Sequence, residues 1–288
     1  MIIPCHPRNR PSLPRTRESL EVAAKGLDVE TLVVDDDASL GPSWARNRGL
    51  DAACGDFVFF CDADDEVTGD FFRRPLAALE DSGADLCFFS YEGGPRQDSA
   101  TIEGTAAVRA EFLPAFFGYS NDDVRRWNSG GALDAHKRMG QVWRCAFRRA
   151  FLERNGLRFD EAMTLFEDAA FLSACAACAE KVVTIPDKLY LYRPQPTGNL
   201  ATGWRGTRNW DYKFVSLAFR KRLDEKCRGE IWKYCEASCV FSALELLRAR
   251  YRWREYLADA RVRAALKSFP LSLRHPLVAA AVLFLRCL

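Results

Sequence analysis

The stretch that decides the fold class is GDFVFFCDADD, residues 55–65. Its nearly continuous apolar part is typical of a strand that is covered on both faces. Because strand side chains alternate, Asp62 and Asp64 at the strand end point to the same side. Two carboxylates placed in this way can hold a hard divalent cation that already carries phosphate oxygens. The structural alternative is a surface turn that is rich in aspartate.

A second acidic cluster ends a neighbouring apolar run, LVVDDD at residues 32–37. Short apolar runs alternate with helical patterns through the first hundred residues, which predicts βαβ units and a parallel sheet. The expected strands are 1–4, 30–34, 56–61 and 84–90, with helices over 13–25 and 71–82. Since both acidic clusters follow strands at their carboxyl ends, we expect a ligand at that edge of the sheet.

Composition excludes several classes of protein. The chain has 288 residues, 48% of them apolar, which is typical of a globular protein. With only three histidines there is little material for a histidine-based zinc site or a Ser-His-Asp hydrolase. A GxxxxGK[ST] loop and a GxGxxG turn are both absent from the sequence. The chemistry is therefore expected among the carboxylates.

Further motifs make the chain resemble a known family, the inverting GT-A-type glycosyltransferases of family 2, in particular their bacterial polysaccharide members. The motifs are IIP (2–4), LVVDDDAS (32–39), ARNRG (45–49), GDFVFFCDADD (55–65), VWRCAFRR (142–149), GLRFD (156–160), FED (166–168) and YLYR (190–193). The resemblance implies an α/β fold with a GT-A, Rossmann-like nucleotide-binding sheet, helices on both of its faces and a C-terminal helical region. It covers residues 1–200, divided into a nucleotide-sugar half (1–92) and an acceptor-side half (93–200).

The same resemblance implies a set of donor-binding residues. The nucleotide sugar would lie against Pro4, Cys5, His6, Asp35, Asp36, Arg46, Asn47, Asp62 and Ala63. Asp64, together with Asp62, would coordinate Mn²⁺ or Mg²⁺ bridging the diphosphate. Only six residues separate Ser39 from Arg46. Since relatives carry an extra helix and strand there, one wall of the nucleotide pocket is expected to be short.

On the acceptor side, the resemblance makes Asp168 the general base. Glu167 and Asp168 begin an apolar, alanine-rich run, so we expect both in the first turn of a helix, where a carboxylate is favoured even without a chemical role. Asp65, Trp143, Glu167 and Arg193 are weaker candidates for the acceptor side or for supporting contacts. Trp143 could stack on an acceptor sugar or be a core aromatic. Arg193 could face the diphosphate or belong to a connector.

Residues 201–288 form a separate, basic region of net charge +10, whereas residues 1–200 carry −8. Helical patterns are expected over 207–228, 230–250 and 253–267, with a ten-residue apolar piece at 276–285, too short to cross a bilayer. The arginines of this region could lie on an anionic membrane surface. A packed helical subdomain or an oligomer interface is the alternative. A nucleic acid partner is not expected, because no reading motif is present.

The sequence thus predicts transfer of a sugar from a nucleotide diphosphate sugar to a hydroxyl of a glycan or lipid-linked acceptor, in cell-surface polysaccharide synthesis. No secretory signal is evident at the N-terminus, so a cytoplasmic location is expected, peripheral on the inner face of the plasma membrane. Two alternatives stay open. One is a sugar nucleotidyltransferase, and the other is a non-catalytic sugar-nucleotide-binding or membrane scaffold protein.

Overall fold

The structure is a computed structural model that describes residues 1–94, 97–119, 123, 125–126, 129–131, 140–193 and 210–268. Its strands are β1 (Ile2–Cys5), β2 (Leu32–Asp35), β3 (Phe57–Phe59), β4 (Glu66–Val67), β5 (Leu86–Tyr91), β6 (Ala100–Glu103), β7 (Cys145–Arg148) and β8 (Lys181–Leu191). Its α-helices are α1 (Leu13–Ala24), α2 (Pro42–Ala52), α3 (Arg73–Ser82), α4 (Thr105–Phe117), α5 (Arg149–Arg154), α6 (Glu167–Cys178), α7 (Tyr212–Lys226), α8 (Trp232–Arg248), α9 (Trp253–Leu257) and α10 (Ala260–Ser268). All the strands and helices predicted before residue 92 are present, with ends shifted by up to two residues.

The sheet is mixed rather than wholly parallel. Strands β1 and β2 pair in parallel, and a parallel bridge between Ile2 and Phe60 joins β1 to the end of β3. The remaining order is β3-β7-β5-β8-β4, with β6 also on β8. Strand β7 is antiparallel to both β3 and β5, so these two predicted strands are parallel to each other but are separated by a strand from later in the chain.

Both faces of the sheet are covered, as the continuous apolar strand predicts. Phe59 packs on Phe71 and Phe72 beside α3, whereas the next residue, Phe60, meets Phe171 of α6 on the opposite face. Successive strand residues point to opposite faces, so one apolar run fills two cores. The predicted α/β fold with helices on both faces is confirmed.

The short segment after β2 turns directly into α2. The carboxylate of Asp36 accepts hydrogen bonds from the backbone nitrogens of Leu40 (2.7 Å) and Gly41 (2.8 Å), which closes the turn. Helix α2 then lies close to β1: a Cβ added at Gly49 would come within 2.3 Å of Ile2 Cγ2. This close approach requires glycine, and it fixes the helix that carries Arg46 against the sheet.

The chain divides into two compact units, one of Met1–Val108 with Gly140–Thr207 and one of Arg109–Met139 with Arg208–Leu288. The predicted boundary at residue 200 lies seven residues from the end of the first unit. The difference is residues 109–139, which the sequence analysis assigned to the acceptor-side half. Within the second unit, Ser238 Oγ donates to the Phe117 carbonyl oxygen (2.6 Å), and the Arg220 guanidinium lies over the Phe117 ring.

Many basic side chains of the second unit are used inside it. Lys213 pairs with Glu245, Lys221 pairs with Asp259, and Arg261 pairs with the buried Asp224. The predicted helix over 253–267 is broken into α9 and α10. The apolar piece at 276–285 lies outside the described residues. In the part of the chain that is described, none of the helices combines the length and the apolar character needed to span a bilayer.

Candidate functional site

A buried arginine stands at the centre of the candidate site. Arg46 extends from α2, its side chain is 4% exposed, and its guanidinium lies over the Phe159 ring. Its Nη1 donates to Asp168 (2.6 Å) and to Glu167 (3.2 Å), and its Nη2 donates to Asp62 (3.1 Å). One guanidinium therefore joins the acidic pair of α6 to the first aspartate after β3.

The sequence prediction placed Arg46 at the border of the nucleotide pocket. In the structure its guanidinium instead pairs with three carboxylates. Burial disfavours its charged form, but the carboxylates of Asp168, Asp62 and Glu167 outweigh burial and raise the pKa of Arg46. Arg46 Nε is buried and has no hydrogen-bond partner. Three carboxylates face one guanidinium, so the cluster carries excess negative charge when all of them are ionised.

Asp168 lies in the first turn of α6, beside Glu167, as predicted. The helix starts after Phe166, whose φ of 61° is in the left-handed region. The second carboxylate oxygen of Asp168 accepts from the Val142 backbone nitrogen (3.3 Å). Burial, opposed by Arg46 and reinforced by Glu167 and Asp62, raises the pKa of Asp168 to about 7. A carboxylate with that pKa, 18% exposed, can accept a proton from a hydroxyl near neutral pH.

The loop after β3 carries Asp62 and Asp64. Both are partly exposed, whereas Ala63 and Asp65 between and after them are buried. The loop is anchored from α1, because Thr16 Oγ1 donates to the Ala63 carbonyl oxygen (2.9 Å) and Arg15 donates to that of Asp64 (3.1 Å). Sequence reasoning missed Thr16, since nothing in a lone buried threonine indicates its partner.

Asp65 is tied into the structure behind that loop. One of its oxygens accepts from the Tyr190 hydroxyl (2.7 Å) and the other from the Arg193 backbone nitrogen (2.7 Å). The same hydroxyl accepts from the Asp62 backbone nitrogen (3.1 Å). Burial, with the charges of Asp62 and Asp64, raises the pKa of Asp65 to about 7 despite these hydrogen bonds. Asp65 is thus a supporting residue, and Tyr190 is a supporting residue that the sequence analysis did not single out.

The residues present fit a divalent metal ion of one particular kind. Asp65 uses both oxygens in the contacts above, so the partly exposed carboxylates of this loop are Asp64 and Asp62, one oxygen of which also accepts from Arg46. Among the described residues there is no group of three or more histidine, cysteine or acidic side chains that could hold an ion. One or two carboxylates are the usual protein share of an Mg²⁺ site whose other ligands are substrate phosphates and water. The donor set therefore fits an ion that is bound together with a diphosphate.

The predicted nucleotide-binding residues at the ends of β1 and β2 are in different environments. Pro4 and the buried Cys5 lie on β1, and His6 Nδ1 accepts from the Arg8 backbone nitrogen while Nε2 contacts Ser39 Oγ (3.2 Å). Asp35 is half-exposed and pairs with Arg10 (3.2 Å). Asp36 instead is buried in the turn described above. Of the two, Asp35 is the carboxylate that faces outward.

Two other candidates are engaged in the interior. The Asn47 amide accepts from the Phe159 backbone nitrogen (2.9 Å) and donates to the carbonyl oxygen of the same residue (3.0 Å), so it holds the segment under Arg46. The Trp143 ring is buried and stacks on Tyr190 at 4.1 Å. A third candidate, Arg193, lies at the surface instead: its side chain is 40% exposed and pairs with Glu66 (2.9 Å).

Comparison with known proteins identifies this region. The model of the family described as glycosyl transferase family 2 matches residues 37–139. The chain is 29% identical over 199 residues to the succinoglycan biosynthesis protein ExoO of Rhizobium meliloti (strain 1021), with 59% of this chain and 54% of that protein covered. It is 28% identical over 163 residues to the uncharacterized glycosyltransferase EpsJ of Bacillus subtilis (strain 168), with 55% and 44% covered.

Residues 37–139 are therefore similar to a family 2 glycosyltransferase domain. It spans about half the length of the curated relatives it matches. The matched segment 37–139 includes Arg46 and the aspartates after β3, whereas Asp168 and Tyr190 lie beyond it.

Solved structures agree with this domain in fold. The crystal structure of S. aureus TarS 1-349 has a TM-score of 0.50 and 17% identity, and the match covers 99% of this chain and 78% of that one. The same protein in complex with UDP-GlcNAc has a TM-score of 0.50 and 16% identity, with 98% and 78% covered. This chain has the GT-A fold, as the sequence predicted.

The raised pKa values make the stability of the domain depend on pH. Asp65 and Asp168 have a pKa of about 7 in the folded domain against an ordinary 3.8, so the folded state binds more protons between these values. Their contribution to stability is therefore present at low pH and is lost as the pH rises through about 7.

From this balance we predict a pH-dependent cost of removing Arg46. Arg46→Met leaves three carboxylates without their cation, so it should lower the free energy of unfolding by about 3 kcal/mol at pH 8. The loss should be clearly smaller at pH 5.5, because Asp168, whose pKa is about 7, is protonated there. Denaturant unfolding at the two pH values measures both losses.

The control is Arg74→Met, which breaks the pair of a half-exposed arginine with Asp187, away from the Arg46 cluster, and should cost no more than about 1 kcal/mol at either pH. Equal losses for Arg46→Met at both pH values would contradict the electrostatic explanation and indicate lost packing on Phe159.

Proposed function

We propose that this chain transfers a sugar, with inversion, from a nucleotide diphosphate sugar to a hydroxyl of a glycan or lipid-linked acceptor in the synthesis of a cell-surface polysaccharide. The observation that carries the proposal is the Arg46 cluster, which joins the Asp62 side of the loop after β3 to Asp168 at the start of α6. The name of one relative, a succinoglycan biosynthesis protein, supports the polysaccharide context.

In the proposed reaction, Asp168 removes the proton of the acceptor hydroxyl while the oxygen of that hydroxyl attacks the anomeric carbon of the donor. The new carbon–oxygen bond forms on the face opposite the departing phosphate, and the nucleoside diphosphate leaves with the electron pair of the broken bond. The buried Arg46 holds Asp168 in place, while the hydrogen bond from Val142 fixes its second oxygen. Asp168 is poised for this step because its pKa is about 7.

The donor would lie at the open side of the loop after β3, with Asp62 and Asp64 directed toward its diphosphate. Mn²⁺ or Mg²⁺ bound there would neutralise the charge that develops on the leaving diphosphate. The short turn closed by Asp36 leaves Asp35 and the loop after β1 to contact the nucleoside.

The first prediction concerns the base. Asp168→Asn should reduce kcat at least about 100-fold with unchanged donor affinity, because a general base contributes that much or more. In the wild-type protein, kcat/KM should rise with pH and level off above about 7, since Asp168 must lose its proton first. Release of nucleoside diphosphate in the presence of acceptor measures both.

The matched control is Glu167→Gln. It removes the same charge from the same Arg46 contact, one residue away, but leaves Asp168 in place. Equal kcat losses for the two variants would show that the charge of the cluster, and not a proton acceptor at Asp168, governs the rate.

The second prediction concerns the donor. UDP-, GDP-, CMP- and dTDP-sugars are compared by the midpoint of thermal unfolding with and without Mn²⁺, starting from UDP-GlcNAc because a TarS structure holds it. A donor at 100 times its Kd should stabilise the protein by about 2.7 kcal/mol. We expect one nucleotide class to do so with metal, and Asp64→Ala to abolish the shift.

Asp70→Ala provides the control, since it removes an exposed aspartate of the same region that has no assigned role. A shift that persists in Asp64→Ala would exclude Asp64 as a metal ligand. No shift with any donor would favour the scaffold alternative, and pyrophosphate release from a nucleoside triphosphate and a sugar phosphate would favour the nucleotidyltransferase.

We also propose that the second unit contacts an anionic membrane surface from the cytoplasmic side. The turn between α8 and α9 supports this, because Arg248, Arg250 and Arg254 are exposed there and make no ion pair among the described residues. The nearby Arg252 pairs with Asp211 and Glu255. Basic residues near an anionic leaflet contribute about 1 kcal/mol each.

The third prediction tests that surface. The wild-type protein should sediment with vesicles that contain phosphatidylserine, but not with neutral phosphatidylcholine vesicles, and high salt should release it. Arg248→Glu, Arg250→Glu and Arg254→Glu together should weaken binding more than tenfold. The control reverses three exposed charges of the first unit, Arg17, Lys25 and Arg48. Equal binding by both triple variants would contradict the proposed surface.

A further inference from the structure

Three aromatic rings lie nearly parallel in the first unit. The Trp143 ring is 4.1 Å from that of Tyr190 with an interplanar angle of 12°, and 6.5 Å from that of Tyr192 with an angle of 10°. Trp143 and Tyr190 are buried, whereas Tyr192 is 39% exposed. Trp143, the aromatic side chain that sequence reasoning suggested for an acceptor sugar, therefore lies within the core, and the accessible ring belongs to Tyr192.

The row of rings is fixed to the candidate site on two sides. The Tyr190 hydroxyl donates to Asp65 and accepts from the Asp62 backbone nitrogen. The backbone nitrogen of Arg193, next to Tyr192, donates to the other oxygen of Asp65. The residue before Trp143 is Val142, whose backbone nitrogen donates to Asp168. Tyr192 is thus one residue from a contact of the loop after β3, and its stacking partner is one residue from a contact of Asp168.

We propose that Tyr192 is the platform on which a sugar ring of the acceptor packs; this proposal rests on the transfer reaction proposed above. A pyranose presents an apolar face of C–H groups, and the face of an aromatic ring is large, apolar and electron-rich. Beside Tyr192, the charged side chains of Glu66 and Arg193 are partly exposed and can meet the hydroxyls at the sugar's edge.

The position of Tyr192 favours the acceptor over the nucleoside of the donor. The residues assigned to the nucleoside lie at the ends of β1 and β2, on one side of the sheet, whereas Tyr192 follows β8. In the order β2-β1-β3-β7-β5-β8, five strand spacings separate β2 from β8, which is roughly 24 Å. The aspartates after β3 lie between these two ends. A donor whose diphosphate reaches Asp62 from the β2 side leaves the β8 side to the acceptor.

The experiment measures binding of simple glycosides, so that it does not depend on turnover. Octyl β-glucoside and octyl β-galactoside, below their micelle concentrations, are titrated into the protein and followed by saturation-transfer NMR. We expect Tyr192→Ala to weaken binding about tenfold, the loss of one aromatic contact. Tyr192→Phe, which keeps the ring, should stay within twofold of wild type.

Val22→Ala is the control for loss of an exposed apolar side chain, since Val22 lies on α1 and is 50% exposed. Unchanged binding in Tyr192→Ala, or no binding of either glycoside to the wild-type protein, would overturn the proposal. Asp168→Asn should keep glycoside binding. Failure of the transfer reaction alone would therefore appear as binding without turnover, which is distinct from failure of the platform.

Discussion

The site depends on one buried guanidinium. Arg46 connects three segments that are far apart in sequence, namely α2, the loop after β3 and the first turn of α6. Its own position is set by the contact of Gly49 with Ile2, which holds α2 on β1, and by the Phe159 ring beneath it. A buried cation is stable only when carboxylates pair with it, so the fold and the site constrain each other.

Local pattern was enough to predict the carboxylates and the strands that carry them. Asp62 and Asp64 follow a strand whose apolar run predicts burial on both faces. Glu167 and Asp168 begin a helix that its alanine-rich sequence predicts equally clearly. The Arg46 cluster could not be predicted in the same way, because Arg46 and Asp168 are separated by 122 residues. Its motif suggested proximity to a nucleotide, and only the tertiary structure, in which the Arg46 side chain reaches the start of α6, reveals the ion pairs.

Other differences between expectation and structure have the same cause. Strand β7 is four residues long and lies between β3 and β5, a topology that no local pattern encodes. The basic C-terminal region looked uniform in sequence, but tertiary packing divides it. Lys213, Lys221 and Arg261 have acidic partners within the second unit, whereas the arginines of the turn after α8 remain exposed. Net charge therefore overstated the basic surface and did not show where it lies.

The negative charge of the site lowers the stability of the folded domain, and this loss points to a function for the carboxylates. Asp65 and Asp168 flank Asp62 from two sides, and burial together with like charges raises the pKa of each to about 7. Above that pH the folded domain must hold carboxylates that would be more stable in water. A chain selected for stability alone would replace some of them with apolar side chains of similar volume. Buried carboxylates at these positions suit a site that binds a cation or that accepts a proton from a ligand. The Tyr190 hydroxyl, whose pKa burial raises well above its usual value, stays protonated and joins Asp65 to the Asp62 backbone nitrogen.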